Sequence, residues 1–363
     1  MNGARNPLRR YFFLLLLCCL GSPVPAQPRD EGKALAEFCR NFPDGTEIAI
    51  GISENGVQQH LGFTKLGGRL EPSANAARQF ELGSITKVFT AVLAAHAVRE
   101  GRFSPETDIQ SFYAFPLGYS YPGTITVGQL CTHTSGFKHD YPNFAPHLKG
   151  PRYAGPFPAL DRDGLHGLLK KRRILVSPPG RRLSYSNFGY AVLGDILTRT
   201  AGKSYAQLLR EVITGPLHLQ ATTLAVTDGL VSGRNAAGKV VRNSEGSAYD
   251  PVAHVKSSVA DMLTFMEYFF LKESALSPAF DLCKPVLFSR NATDHRSLGW
   301  FVHKPPGGEA LFYHGGNTYG YTAKAAFAAG KKRAVVVLSN VTGTNNRVSD
   351  GVSGIIDYFL EKP

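Results

Sequence analysis

The chain has 363 residues, of which 43% are hydrophobic and 19% charged, and its formal net charge is +12. These proportions are typical of globular proteins and exclude a disordered or collagen-like chain. The length allows one large domain or two ordinary ones. Five cysteines are too few for a disulfide scaffold. No apolar run approaches the ~18 residues that a membrane-spanning helix needs.

The first 26 residues have the pattern of a secretory signal peptide. Three arginines precede an apolar run at 11–20, and small residues follow as far as Ala26. A membrane anchor would need a run about twice as long. Cysteines at 18–19 suggest lipid anchoring as an alternative, but leucines rather than small residues precede them. We therefore expect cleavage near Ala26, a single domain over 27–363, and a secreted or periplasmic protein.

The positive charge is scattered, apart from one tight cluster of four basic residues at 170–173. This cluster ends a predicted helix, where cations complement the helix dipole. No nucleic-acid-binding motif accompanies the cluster, so it is interpreted as a solvated face. We expect no nucleic-acid partner.

Strand-like segments occur at both ends of the chain, and a helical pattern accompanies each group. The N-terminal pair is joined through Asn55 and Gly56, and Asn-Gly between apolar runs is a strong hairpin signal. Strands from both ends can therefore belong to one sheet that is covered by terminal helices. The predicted helices are 33–41 and 351–360, and the predicted strands are 46–53, 57–64, 310–314, 322–328 and 334–340.

The middle of the chain is mostly helical. Residues 85–99 are apolar almost all round, as expected for a helix buried on every side. Five prolines in 138–160 predict a long surface loop that can act as a lid. The whole pattern predicts an α+β protein, with an antiparallel sheet flanked by terminal helices and a mainly helical region inserted between its two parts. Further predicted helices are 188–201, 205–213 and 257–270, the last with Ser258 and Asp261 spaced as an N-terminal cap.

Ser84 and Lys87 form the first of three motifs that indicate nucleophilic chemistry. A serine hydroxyl needs a nearby base, and residues three apart lie on the same face of a helix. At the end of a buried helix, desolvation favours the neutral amine, so Lys87 can be that base. Gly83 allows a tight entry turn. Alone, S-x-x-K is a weak signal, and the alternative is that Ser84 caps the helix while Lys87 points to solvent.

Tyr185 and Asn187 form the second motif, Y-x-N. A tyrosine oxygen near a lysine can pass a proton to a leaving group. The asparagine amide can orient both the lysine and a substrate. Taken alone, this motif favours the simpler alternative that Tyr185 packs in the core and Asn187 caps the next helix.

The third motif is His314-Gly315-Gly316, followed by Asn317, at the end of a predicted strand. Glycines there let a substrate carbonyl approach the backbone. Backbone N–H groups directed at a developing oxyanion lower a reaction barrier by ~3 kcal/mol or more. The alternative is an ordinary glycine turn with an exposed histidine.

Taken in chain order, the S-x-x-K, Y-x-N and H-G-G motifs resemble those of the class C β-lactamase and penicillin-recognising serine hydrolase family. Residues 130–136 are similar to that family's L-x-T-H-T-S-G loop, in which His133 is expected to make a structural hydrogen bond rather than act as a base. The likeness extends over roughly residues 45–360. Three ordered motifs over this span are far more specific than any one alone.

The resemblance implies a role for each motif residue. Ser84 would be the acylated nucleophile, Lys87 its activating partner and Tyr185 the proton relay. No metal or organic cofactor is implied, and the other histidines of the central region lack metal-ligand spacing. The residues that would bind substrate or the oxyanion are Asn187, His314, Gly315, Gly316 and Asn317, with the N–H groups of Ser84 and Asn317 forming the oxyanion hole.

His314 occupies the position where many family members carry the lysine of a K-T-G-type motif. Lysine is a permanent cation for a substrate carboxylate, whereas histidine is largely uncharged at neutral pH. We therefore do not expect efficient β-lactam hydrolysis. The resemblance implies a secreted serine hydrolase that acts through an acyl-enzyme on small-molecule ester, amide or D-amino-acid peptide bonds, cell-wall peptide included. The alternatives are a true β-lactamase and a catalytically silent binding or scaffold protein that retains the fold.

Overall fold

The computed structural model describes residues 29–119, 121–140, 160–243, 246–343 and 347–361. Its strands are β1 (Glu47–Glu54), β2 (Val57–Leu66), β3 (Arg69–Pro72), β4 (Phe80–Glu81), β5 (Lys256–Ser257), β6 (Phe288–Ser289), β7 (Asp294–Arg296), β8 (Phe301–His303), β9 (Leu311–Asn317), β10 (Thr322–Ala328) and β11 (Arg333–Ser339). Its helices are α1 (Arg29–Phe38), α2 (Thr86–Arg99), α3 (Val127–Cys131), α4 (Arg162–Leu169), α5 (Asn187–Ala201), α6 (Tyr205–Leu208), α7 (Asp250–Ala253), α8 (Val259–Glu267), α9 (Ser277–Leu282) and α10 (Arg347–Glu361).

Strands from both ends of the chain share one sheet, as predicted. In the described part of the chain, nine strands are ordered β3-β2-β1-β11-β10-β9-β8-β7-β6, and every pairing is antiparallel. The N-terminal hairpin turns through Asn55 and Gly56, whose φ angles are +51° and +85°. It then joins the C-terminal strands, with Ile50 opposite Val337. The predicted α+β architecture is confirmed.

Helices cover both faces of the central strands. On one face, Ile50 and Val337 pack with Ile355 of α10 and with residues of α1. On the other face, Val336 packs with Leu263 of α8 and with the rest of the inserted region. Burial on both faces explains why β11 is an unbroken apolar run rather than an alternating one.

The inserted region surrounds helix α2, which is buried along nearly its whole length. Helices α5, α7 and α9 pack against it. Ser258 accepts a hydrogen bond from the Asp261 N–H at the start of α8, as its spacing predicts. The basic cluster begins at Lys170, the C-cap residue directly after α4. The core of this region thus encloses α2.

Two predicted elements differ from the structure. Strand β9 runs on to Asn317 instead of ending at His314, because Gly316 and Asn317 pair with Ala323 and Thr322 of β10, which local propensity does not reveal. The helix predicted at 205–213 is α6 followed by a π-helical turn at Leu209–Thr214. The other predicted boundaries shift by at most a few residues.

Some predictions lie outside the described residues. These are the signal peptide at 1–26 and most of the proline-rich loop, residues 141–159. Within the described ranges, no helix is long and apolar enough to cross a membrane.

Candidate active site

Ser84 lies in a 3-10 turn, Gly83–Ile85, that leads directly into α2. Gly83 has φ +51°, a conformation that favours glycine. A Cβ atom at Gly83 would also lie 2.7 Å from the backbone nitrogen of Asn317. The turn therefore needs a glycine, and it leaves the Ser84 side chain partly exposed, one helical turn before Lys87.

The side chain of Lys87 is completely buried beside Ser84. Its Nζ lies 2.9 Å from Ser84 Oγ and donates a hydrogen bond to the Val252 carbonyl at 3.1 Å. Burial lowers the pKa of Lys87 to about 7, while the negative charge of Asp140 opposes this shift. The amine is therefore substantially uncharged at neutral pH, when its lone pair can accept the Ser84 proton. The alternative that Lys87 points to solvent is excluded by its burial.

Tyr185 completes a group of three with Ser84 and Lys87. Its phenol is hydrogen-bonded to Ser84, and Lys87 Nζ lies 5.1 Å from the centre of its ring. Burial raises the pKa of Tyr185, the hydrogen bond from Ser84 lowers it, and the charge of Asp140 raises it, with burial dominant. Because the phenol keeps its proton at neutral pH, Tyr185 is suited to donating a proton, and Lys87 to accepting one.

Asn187 is the first residue of α5, but it does not cap the helix. That function belongs to Ser186, whose Oγ accepts a hydrogen bond from the Gly189 N–H at 2.8 Å. The Oδ1 atom of Asn187 is buried without a hydrogen-bond partner among the described residues. Asn187 Oδ1 is therefore able to accept a hydrogen bond from a bound molecule.

Strand β9 lies directly against the serine turn. A Cβ atom at Gly316 would be 1.9 Å from the Leu82 carbonyl oxygen and 2.9 Å from the Ser84 nitrogen. Together with the contact between Gly83 and the Asn317 nitrogen, this approach brings together the backbone amides of Ser84 and Asn317. These are the two amides that the resemblance assigns to the oxyanion hole.

His314 is buried, with 2% of its surface exposed, which excludes an exposed turn histidine. Its Nδ1–H donates to the Gly315 carbonyl at 2.8 Å. Burial lowers the pKa of His314 to about 3, and the nearby Lys87 acts in the same direction. The imidazole is therefore neutral at pH 7, as the sequence predicts. A lysine at this position would carry a charge.

Three residues of the site were not identified from the sequence: Val252, Asp140 and Phe301. Val252 contributes a backbone carbonyl, which has no sequence signature. Asp140 accepts a hydrogen bond from the Tyr249 hydroxyl at 3.3 Å and contacts His139. The Phe301 ring stacks on Tyr185, with centroids 6.2 Å apart and planes inclined by 12°. None of the three belongs to one of the motifs in the sequence, so motif analysis did not reveal them.

The histidines of the central region make pairwise contacts with carboxylates. His166 Nε2 lies 2.8 Å from Asp195 Oδ2, and His139 contacts Asp140. His147 lies outside the described residues. Among the residues that are described, no group of three or more His, Cys, Asp or Glu side chains is arranged to hold a metal ion.

Comparisons with known proteins agree with this fold and motif order. Residues 43–354 match the beta-lactamase family, so the chain belongs to the beta-lactamase family of serine hydrolases. A relative named beta-lactamase from Lysobacter lactamgenus is 23% identical over 91% of this chain and 92% of its own length. The D-alanyl-D-alanine-carboxypeptidase/endopeptidase AmpH of Escherichia coli strain K12 is 28% identical, over 59% of this chain and 57% of its own.

Solved structures show the same fold. A class C beta lactamase from Rhodobacter sphaeroides superimposes with a TM-score of 0.74 at 22% identity, covering 92% of this chain and 100% of that one. The octameric penicillin-binding protein homologue from Pyrococcus abyssi gives a TM-score of 0.76 at 22% identity, covering 92% and 77%. At these identities the likeness concerns the fold alone.

We predict that Gly316→Ala separates β9 from the serine turn and lowers the stability of the protein. Its methyl group would collide with backbone atoms that cannot rotate away, and overpacking of this kind costs roughly 1–3 kcal/mol. Gly315→Ala is the matched control for stability, since its nearest neighbour would be 3.8 Å away. Thermal unfolding of both variants is the measurement. Equal melting temperatures for the two would contradict close packing at Gly316.

Proposed function

We propose that the protein hydrolyses ester, amide or D-amino-acid peptide bonds through an acyl-enzyme formed on Ser84. The observation that carries this proposal is the 2.9 Å contact between Ser84 Oγ and the buried amine of Lys87. As Oγ bonds to the substrate carbonyl carbon, the Ser84 proton passes to Lys87 Nζ. The carbonyl oxygen gains negative charge, which the N–H groups of Ser84 and Asn317 stabilise.

Tyr185 relays protons between Lys87 and the leaving group, and between the attacking water and Lys87. When the tetrahedral intermediate collapses, the bond from carbon to the leaving group breaks, and the proton taken up by Lys87 reaches the leaving atom through the phenol. Water then attacks the acyl carbonyl carbon, and its proton passes through the phenol to Lys87. As the bond from that carbon to Ser84 Oγ breaks, the proton returns to Oγ, and the acid product leaves with Ser84 regenerated. The hydrogen bond between Tyr185 and Ser84 supports this relay.

The neutral state of His314 supports substrates that have no carboxylate at this position. Its Nδ1–H donates a hydrogen bond to the Gly315 carbonyl, and the imidazole carries no charge at pH 7. His314 would therefore give a carboxylate no charge-assisted hydrogen bond, an interaction typically worth 1.5–3 kcal/mol. We therefore rank ester and amide hydrolysis above β-lactam hydrolysis. The β-lactamase alternative retains the support of the relative from Lysobacter lactamgenus.

Secretion is part of the same proposal. It is supported by the three arginines, the apolar run at 11–20 and the small residues up to Ala26. Cell-wall peptide is a substrate class that such a location would supply, and the name of AmpH as a D-alanyl-D-alanine-carboxypeptidase/endopeptidase supports it.

We predict that a fluorophosphonate probe labels the protein at Ser84 and that p-nitrophenyl acetate is hydrolysed. Ser84→Ala should abolish both reactions because it removes the atom that is acylated. Ser111→Ala, which changes an exposed serine of another element, is the control and should keep both. Mass spectrometry of the labelled peptide is the measurement. A folded wild-type protein that neither labels nor turns over would support the silent scaffold instead.

We predict that log(kcat/KM) for p-nitrophenyl acetate rises with pH through a limb near pH 7. The active form has Lys87 uncharged, so activity is lost as pH falls below the lysine's pKa of about 7. Tyr185→Phe is the control: it should lower kcat but leave this limb in place, because the limb belongs to Lys87. A limb that disappears in Tyr185→Phe would assign the titration to the phenol.

We predict that nitrocefin is turned over far more slowly than p-nitrophenyl acetate, and that its methyl ester is no poorer a substrate than the free acid. The reason is that neutral His314 offers no charge to the cephem carboxylate. The ratio of kcat/KM for the acid to that for the ester is the measurement. A preference for the free acid of about tenfold or more, equivalent to about 1.4 kcal/mol, would show that the site recognises the carboxylate.

A further inference from the structure

His133 holds the backbone on both sides of Tyr185. The Ser184 N–H donates to the His133 carbonyl at 2.8 Å, and the Ser186 N–H donates to His133 Nδ1 at 3.1 Å. One residue thus bonds to the amides immediately before and after the tyrosine. Two such bonds fix the backbone of residues 184–186, and with it the direction in which the Tyr185 side chain projects.

The imidazole of His133 also packs on the ring that it positions. The centroids of His133 and Tyr185 are 4.2 Å apart, and Tyr190 lies against the imidazole at 5.0 Å. Because Nδ1 accepts a hydrogen bond, the single proton of the neutral ring is on Nε2. Burial lowers the pKa of His133 well below its usual value, and the nearby Lys87 adds to this, so the accepting form persists at neutral pH.

The backbone of His133 has φ +59°, a left-handed conformation that is uncommon outside glycine. This conformation lets the carbonyl and the side chain of one residue reach Ser184 and Ser186. Residues in such conformations persist when the surrounding structure holds them there, and they cluster at functional sites. A glycine would relieve the backbone but would lack the acceptor that Ser186 needs.

We propose that His133 is a positioning residue that aligns the Tyr185 phenol for proton transfer, through the hydrogen bond from the Ser186 N–H to Nδ1. This inference rests on the proposed function, in which Tyr185 relays the proton. His133 packs on Tyr185 and bonds to the amides that flank it, so its effect on the reacting atoms passes through Tyr185. Its loss should therefore lower kcat while changing KM little.

The first test compares two amide side chains of different length. His133→Asn places Oδ1 where Nδ1 lies and tolerates a left-handed backbone, so it should keep kcat within about threefold of wild type. His133→Gln moves the same carbonyl one bond further out, so it should lose Ser186 as a partner. We expect a roughly 10- to 100-fold lower kcat for this variant, because small misplacements of catalytic groups have effects of that size. Equal losses in both variants would overturn the proposal.

The second test repeats His133→Gln in a Tyr185→Phe background. If His133 acts through the phenol, adding the glutamine to a protein that already lacks the phenol should lower kcat less than about threefold further. A merely structural role would give the same loss in both backgrounds, and that result would overturn the proposal.

The third test does not depend on activity, so it separates this inference from the proposed function. Hydrogen exchange of the peptide that contains Ser186 should be faster in His133→Gln than in wild type and unchanged in His133→Asn. Unchanged protection in the glutamine variant would refute the contact, whatever reaction the enzyme performs. If neither variant folds, His133 contributes something other than a hydrogen-bond acceptor at this position, and the proposal fails.

Discussion

The site depends on keeping the amine of Lys87 out of water. Complete burial removes the solvation that an ammonium ion needs, and the Val252 carbonyl and Ser84 hydroxyl replace only part of it. The same burial that lowers the pKa of Lys87, so that its uncharged amine can accept a proton near pH 7, also raises the pKa of Tyr185. One desolvated cluster thus provides an acceptor and a donor of protons at the same pH.

This cluster exists only where the sheet and the inserted helical region meet. The sheet supplies β9, and the helical region supplies the turn before α2. Gly316 lies so close to the Leu82 carbonyl that no side chain would fit there. Because the contact is between two backbones, it places the Ser84 and Asn317 amides with little freedom. The helical region then adds Tyr185 from the segment before α5, which His133 holds from the loop after α3.

Much of the fold followed from local patterns. The Asn55-Gly56 hairpin, the buried helix α2 and the strands at both chain ends were predicted because turn chemistry and hydrophobic periodicity are local properties. The end of β9 was missed because Gly315 and Gly316 read as a turn, although pairing with β10 makes them strand. Asp140 and the Val252 carbonyl were missed because their contribution lies in position, not in residue type.

The sequence by itself determined the chemical groups: a serine with a lysine three residues later, a tyrosine, and a histidine at the position to which the resemblance assigns a lysine. It also determined their order along the chain, which resembles that of one family. Only the tertiary structure decided that Lys87 and His314 are buried and that His133 forms hydrogen bonds to the amides on both sides of Tyr185. Each of these depends on atoms contributed by distant segments, and burial and hydrogen bonding between segments arise only when the chain is packed.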